Sequence, residues 1–182
     1  MEALKLMGYD DNKDRMYTVE EAAAMEGHVE LIGGRLMITD KTSVAHNNAV
    51  LEIATALRAF IESGSGKCRV FTENVAVYCD ELCNDELYRN NFFLPDVMVV
   101  CEQTGIRDDG VHCAPRFVAE VTSEATRKND FVRKMSVYGE MGVEEYWIVD
   151  LQKNRVVRYL ADDDFSPEII AYPLTSTMPV HI

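Results

Sequence analysis

Phe117-Val118-Ala119-Glu120-Val121-Thr122 is an apolar, largely β-branched run with a carboxylate in its middle. Such a run reads as a buried strand. A carboxylate inside it is costly to desolvate unless it meets a cation or lies at an open edge. A second run, Asp96-Val97-Met98-Val99-Val100-Cys101, starts with the same problem. Between the two lie Gly105, Asp108, Asp109, Gly110 and Pro115, which are turn and loop formers. Antiparallel pairing would set the start of the first run beside the end of the second, making Asp96 and Glu120 neighbours. A shared divalent ion is one reason for such a pair, since Mg²⁺ takes hard oxygen ligands and often one or two carboxylates. The alternative has Asp96 capping a turn and Glu120 facing solvent.

The rest of the chain supplies a frame for these strands. Residues 1–16 are polar and without a period, which reads as a flexible arm, and 17–182 as one domain. Thr18 and Glu21 form a capping-box pattern that starts a short helix. Val29 to Ile32 and Arg35 to Ile38 flank Gly33-Gly34 as a β-hairpin. Val50, Ile53, Ala54, Leu57 and Ile61 line one face of a helix over 44–62, and His46 opens the same stripe. Val70, Thr72, Val75 and Val77 suggest one strand with an irregularity near Asn74, followed by a loop from Asp80 to Asn91. A helix from Asn129 to Met141 stops at Gly142. Glu145 to Val149 and Val156 to Leu160 form a last strand pair, with an edge strand to follow in the tail.

Composition limits the partners. There are 18 Lys and Arg against 31 Asp and Glu, a formal charge of −13. This excludes a polybasic scaffold, so any phosphate-bearing ligand needs a local basic patch or bound cations. No apolar run is long enough to span a membrane. Asp10, Asp11, Lys13 and Asp14 occupy the place where a secretory signal would be apolar, so the expectation is a cytoplasmic protein with its five cysteines as free thiols. Cys79, Cys83, His112 and Cys113 lack the tight paired spacing of structural zinc. Tyr146 and Trp147 read as core, while Ser123 and Thr126 read as backbone-bonding residues of a strand-to-helix turn. His112 and His181 show no partner pattern.

Lys134 falls on one helical stripe with Phe131, Tyr138 and Met141. Its stem should therefore lie on the sheet while its ammonium reaches outward. The strand carrying Glu120 runs into this helix, which can bring the amine towards the two carboxylates. There it could orient an attacking water or neutralise charge on phosphorus.

Taken together, Glu30-Leu31-Ile32-Gly33-Gly34-Arg35-Leu36, His46, Pro95-Asp96, Glu120-Val121-Thr122-Ser123, Thr126, Asp130, Lys134 and the run from Gly142 to Asp150 resemble the Uma-type restriction endonuclease family. That family belongs to the PD-(D/E)XK nuclease superfamily, and the similarity runs from about Tyr17 to Leu160. The resemblance implies a restriction-endonuclease-like α/β fold, with a central mixed β-sheet flanked by helices. It implies Mg²⁺ or Mn²⁺ at Asp96 and Glu120, with the Val121 carbonyl as a third ligand. Glu30 and His46 match a polar pair expected to approach the metal. Where the superfamily motif has lysine, two residues after Glu120, this chain has Thr122, and Lys134 takes that place from the following helix, with Lys128 as a rival. Gly33 and Arg35 replace acidic residues usual in the family's first hairpin, and Glu124 stands where proline is common.

The expected activity is metal-dependent hydrolysis of nucleic acid, DNA in the first instance. The ion polarises a phosphoryl oxygen and lowers the pKa of water, and Lys134 assists the attack. Arg127, Lys128 and Arg133 are the candidate basic patch, and a homodimer could supply a second one. Two alternatives keep the same fold: a catalytically inactive binding or assembly module, and a hydrolase of small phosphoesters.

Overall fold

The computed structural model describes residues 15–39, 42–64, 66–123, 129–161, 168–174, 177–180 and 182. The expected arm falls outside these residues apart from Arg15 and Met16. Arg15 pairs with Glu21 at 2.9 Å and lies over the Tyr17 ring.

Helix α1 (Val19–Ala23) is closed by the capping box: the Thr18 hydroxyl accepts from the Glu21 amide and the Glu21 carboxylate accepts from the Thr18 amide. Strands β1 (Val29–Ile32) and β2 (Arg35–Ile38) form the hairpin, with Ile32 opposite Arg35. Gly33 and Gly34 have φ of 56° and 75°, the two positive values that a tight type I′ turn requires. Helix α2 (Val44–Ser63) starts at Ser43, whose hydroxyl accepts from the His46 amide, and buries Val50, Leu57 and Ile61.

The expected strand through Val70 to Val77 is two strands in different sheets. β3 (Arg69–Thr72) ends near Asn74, which has φ of 58°, and the chain then changes sheet to enter β4 (Val77–Tyr78). The residue break is real, but it turns a corner instead of bulging one strand. Within the expected loop, Asp85 caps a helical turn, α3 (Glu86–Arg89). β5 (Phe92–Phe93) and β6 (Val97–Val100) follow, then β7 (Phe117–Thr122).

The helix after β7 differs from a uniform α-helix. Asn129–Lys134 is wound as a π-helix and only Met135–Met141, α4, is α-helical. Gly142 ends it with φ of 87°. β8 (Glu145–Asp150), β9 (Arg155–Leu160) and β10 (Glu168–Pro173) follow.

Two sheets result, with strand orders β2-β1-β5-β4 and β10-β9-β8-β7-β6-β3. The larger sheet is mixed, because β7 and β8 are parallel and its other pairs antiparallel. Alternation along its strands sorts the core into two layers. Val97, Val99, Phe117, Ala119 and Val121 pack with α2. Met98, Val100, Val118 and Ile148 pack with Val137 and Tyr138 of α4 and with Ile32 and Phe93 of the smaller sheet. Glu120 shares the parity of Val118 and is therefore directed towards α4 and the smaller sheet.

The cysteines need a correction. Cys68 and Cys101 form a disulfide, and Cys79, Cys83 and Cys113 are free and buried. The cause is register: β3 and β6 pair Arg69 with Val100, so Cys68 and Cys101 occupy the next facing position. Among the described residues no helix is long and apolar enough to cross a membrane.

Candidate active site

β6 and β7 pair Val97 with Ala119, so Asp96 and Glu120 are the next facing residues, at the point where the ladder ends. Asp96 Oδ2 accepts from the Val121 amide at 2.7 Å, an edge donor that β6 no longer reaches. In an extended strand a residue's N–H and C=O point to the same edge. The Val121 carbonyl is therefore aimed to the side on which Asp96 lies.

Lys134 is buried, its ammonium turned inward instead of outward, and it meets the Glu120 carboxylate as the strand-to-helix order led one to expect. It donates to Glu30 Oε1 at 2.8 Å and to Glu120 Oε1 at 3.0 Å, with Asp130 Oδ1 at 3.9 Å. The acids around it are the reason: three carboxylates from β1, β7 and its own π-helical turn enclose the amine. Glu30 Oε1 also accepts from the Leu94 amide at 2.9 Å, and the Tyr138 hydroxyl donates to Glu120 Oε1 at 2.8 Å. His46, in the first turn of α2, lies with Nε2 3.2 Å from Asp96 Oδ2.

Two carboxylates thus have the same asymmetry. The bonds to Glu120 all fall on Oε1 and those to Asp96 on Oδ2. Glu120 Oε2 and Asp96 Oδ1 have no hydrogen bond to the described residues. Both side chains line a cleft of about 510 Å³, shared with Glu30, His46, Asp130 and Lys134.

The cleft gathers more acidic groups than one ammonium can pair. Glu30, Asp96, Glu120 and Asp130 are all buried. Burial pushes the Glu120 carboxyl well above the usual range; Lys134 pulls it down, while Asp96, Glu30 and Asp130 push it up. Burial opposes the Lys134 charge, yet Glu120, Glu30 and Asp130 hold the ammonium protonated well above the ordinary lysine range. Burial likewise opposes a charged imidazole at His46, but the Asp96 hydrogen bond and the charges of Asp96, Glu73 and Asp130 outweigh it and raise its pKa. Free carboxyl oxygens, a carbonyl at a strand edge and four buried acidic groups around one ammonium make a donor set that fits a hard divalent cation.

Three contributors were not singled out in the sequence for these positions. Tyr138 enters there only as a member of the Lys134 stripe, yet its hydroxyl anchors Glu120. Asp130 appears only within the family pattern; here its carbonyl accepts from the Tyr146 hydroxyl at 3.1 Å. Glu73, the residue after β3, follows the Thr72–Val97 pair, and its amide donates to the Asp96 carbonyl at 3.3 Å. The only signal for Glu73 was the irregularity at Asn74. Thr122 shares the face of Glu120 but is buried, its hydroxyl donating to the Ser123 carbonyl at 3.1 Å. Arg133 is exposed and lines a groove with Arg35; Arg127, Lys128, Glu124 and Thr126 lie outside the described residues. The expectation for Trp147 and Tyr146 holds, as both are buried. His112 has partners after all: it stacks on Tyr78 and lies 3.1 Å from Asp109. His181 lies outside the described residues.

The architecture is similar to a solved structure described as "a putative nuclease belonging to DUF820 from Anabaena variabilis ATCC 29413". That likeness has a TM-score of 0.66 at 17% identity and covers 90% of this chain and 89% of the other. No curated protein matches the chain in sequence. The model of the Uma2 family, described as "Putative restriction endonuclease", matches residues 15–180. A match over nearly the whole sequence, on a fold with the mixed sheet expected of that family, means that this chain belongs to the Uma2 family.

Proposed function

We propose that the protein is a divalent-metal-dependent endonuclease that hydrolyses phosphodiester bonds of DNA. The observation that carries this reading is the pairing of Asp96 and Glu120 at the fork of β6 and β7, each with one oxygen anchored and one free towards the cleft. Asp96, Glu120 and the Val121 carbonyl would hold Mg²⁺ or Mn²⁺. A divalent ion held there supplies Lewis acidity at a phosphoryl oxygen and acidifies a nearby water.

The chain's own residues prepare that chemistry. Lys134 and Tyr138 hold Glu120 in one orientation by converging on Oε1. Lys134 also offsets part of the acidic charge that would otherwise repel a phosphate. It acts here as a positioning residue, since its ammonium already donates to two carboxylates. The net charge of −13 opposes DNA at long range, so contact rests on local cations such as the exposed Arg133 beside Arg35.

One observation favours a second reading, a catalytically inactive binding module: Thr122 replaces the motif lysine and the ammonium of Lys134 is engaged by acids. Incubation with supercoiled plasmid and Mn²⁺ separates the two. Nicking by the wild type that is lost in Asp96→Ala and Lys134→Ala supports the nuclease. Equal nicking by all three, or none by any, overturns it.

A further inference from the structure

We propose that Glu73 and His46 extend the Asp96 end of the cleft into a nitrogen-containing cation position that selects Mn²⁺ over Mg²⁺. One donor atom from each of His46, Glu73 and Asp96 lies within 4.8 Å of the others. The inference shares Asp96 with the nuclease reading and rests on that reading for the presence of a divalent ion, but it assigns different ligands.

The geometry begins with register. β3 and β6 pair Thr72 with Val97, and Glu73 and Asp96 come next, joined by the Glu73 amide on the Asp96 carbonyl at 3.3 Å. Thr72 is the last paired residue of this ladder, and the positive φ of Asn74 takes the chain out of the sheet directly after Glu73. α2 delivers His46 between the two acids.

The imidazole is satisfied on one side only. Nε2 lies 3.2 Å from Asp96 Oδ2, whereas Nδ1 is buried without a hydrogen-bond partner among the described residues and lies 4.0 Å from Glu73 Oε1. That gap is too long for a hydrogen bond. It is close to the ~4.2 Å spanned by two first-row metal bonds of about 2.1 Å laid end to end. A histidine that ligates a metal usually donates its other ring N–H to a carboxylate, which fixes the tautomer. Asp96 stands where that acceptor is needed. Imidazole nitrogen suits transition ions, whereas Mg²⁺ keeps to oxygen ligands and water. The Asp96–Glu120 position offers oxygen only, so the two positions, which share Asp96, differ in the ion they favour.

The test uses the full chain, freed of metal by chelator and titrated with Mn²⁺ under electron paramagnetic resonance. Expected are ¹⁴N modulation of bound Mn²⁺, its loss in His46→Gln, and a fall in Mn²⁺ affinity of about 10-fold or more in Glu73→Gln. Glu73→Asp, which keeps the carboxylate, should retain the nitrogen signal, and circular dichroism should show each variant folded. Absence of ¹⁴N modulation in the wild type, or wild-type affinity in a folded Glu73→Gln, overturns the proposal. Plasmid nicking on the same samples keeps the two readings apart. Nitrogen-coupled Mn²⁺ in a chain that cuts no DNA supports this cation position while overturning the nuclease. Unchanged Mn²⁺ affinity in a Glu73→Gln variant of a chain that does cut overturns this position alone.

Discussion

Lys134 and Glu120 form a 3.0 Å ion pair in which both side chains are about 5% exposed. A charge pair so deep is held by mutual need: each group left alone would face the full cost of desolvation. Lys134→Met leaves Glu120 and Glu30 without their cation and should destabilise the fold by about 3–5 kcal/mol in urea denaturation. Added Mn²⁺ should recover part of that loss, because a bound cation offsets the same carboxylates. A variant as stable as the wild type would mean that Glu120 is neutral in the folded chain.

Tyr138→Phe deletes only the hydroxyl that donates to Glu120 Oε1 at 2.8 Å. Leaving a buried acceptor short of one donor costs about 1–3 kcal/mol. A smaller loss than in Lys134→Met, measured by the same urea titration, is the expected order.

Divalent ions should stabilise the native chain by mass action, since a cation that binds the folded cleft and not the unfolded chain shifts the equilibrium. The melting temperature should therefore rise with Mn²⁺ in the wild type and return to baseline with chelator. In Asp96→Ala, which removes the carboxylate between both candidate positions, the rise should vanish.

Thiol counting checks the cysteine assignment. Denatured without reductant, the chain should expose three reactive thiols, and five after reduction. The native protein should react slowly with all reagents near neutral pH, because burial pushes the Cys83 thiol up to about 11 and the Cys79 thiol well above the usual range. Replacing Cys68 and Cys101 together by serine should cost about 2–4 kcal/mol.

Helix α1 gives a pH test. The Thr18 amide donates to Glu21 and lowers its pKa, helped by the Arg15 hydrogen bond. A depressed carboxylate pKa contributes stability that is present above the ordinary value of 4.5 and lost as pH falls through the lowered one. The stability difference between wild type and Glu21→Gln should thus shrink on acidification. Thr18→Ala, which removes the other half of the box, should cost about 1 kcal/mol.

Local signals were legible where one element decides the outcome. Thr18 and Glu21, three residues apart, state the start of α1 without reference to the rest of the chain. Gly33-Gly34 states the β1–β2 turn in the same way, as the observed φ values show. The β6–β7 pairing was legible because two apolar runs with loop formers between them have one natural antiparallel arrangement. The winding of 129–134 was not, since apolar spacing does not distinguish a π-turn from an α-turn over six residues.

By itself, the sequence determined most of the extended and helical segments, that a carboxylate begins one central strand and another sits inside the next, and that a lysine follows on a helix. Those properties depend on neighbours along the chain: periodicity, caps and turn residues. Tertiary structure alone decided that Lys134 turns inward, that Cys68 meets Cys101, and that the Glu73 amide meets the Asp96 carbonyl. Each of these depends on the register or packing of elements far apart in sequence, and a side chain's charge environment exists only after those elements have met.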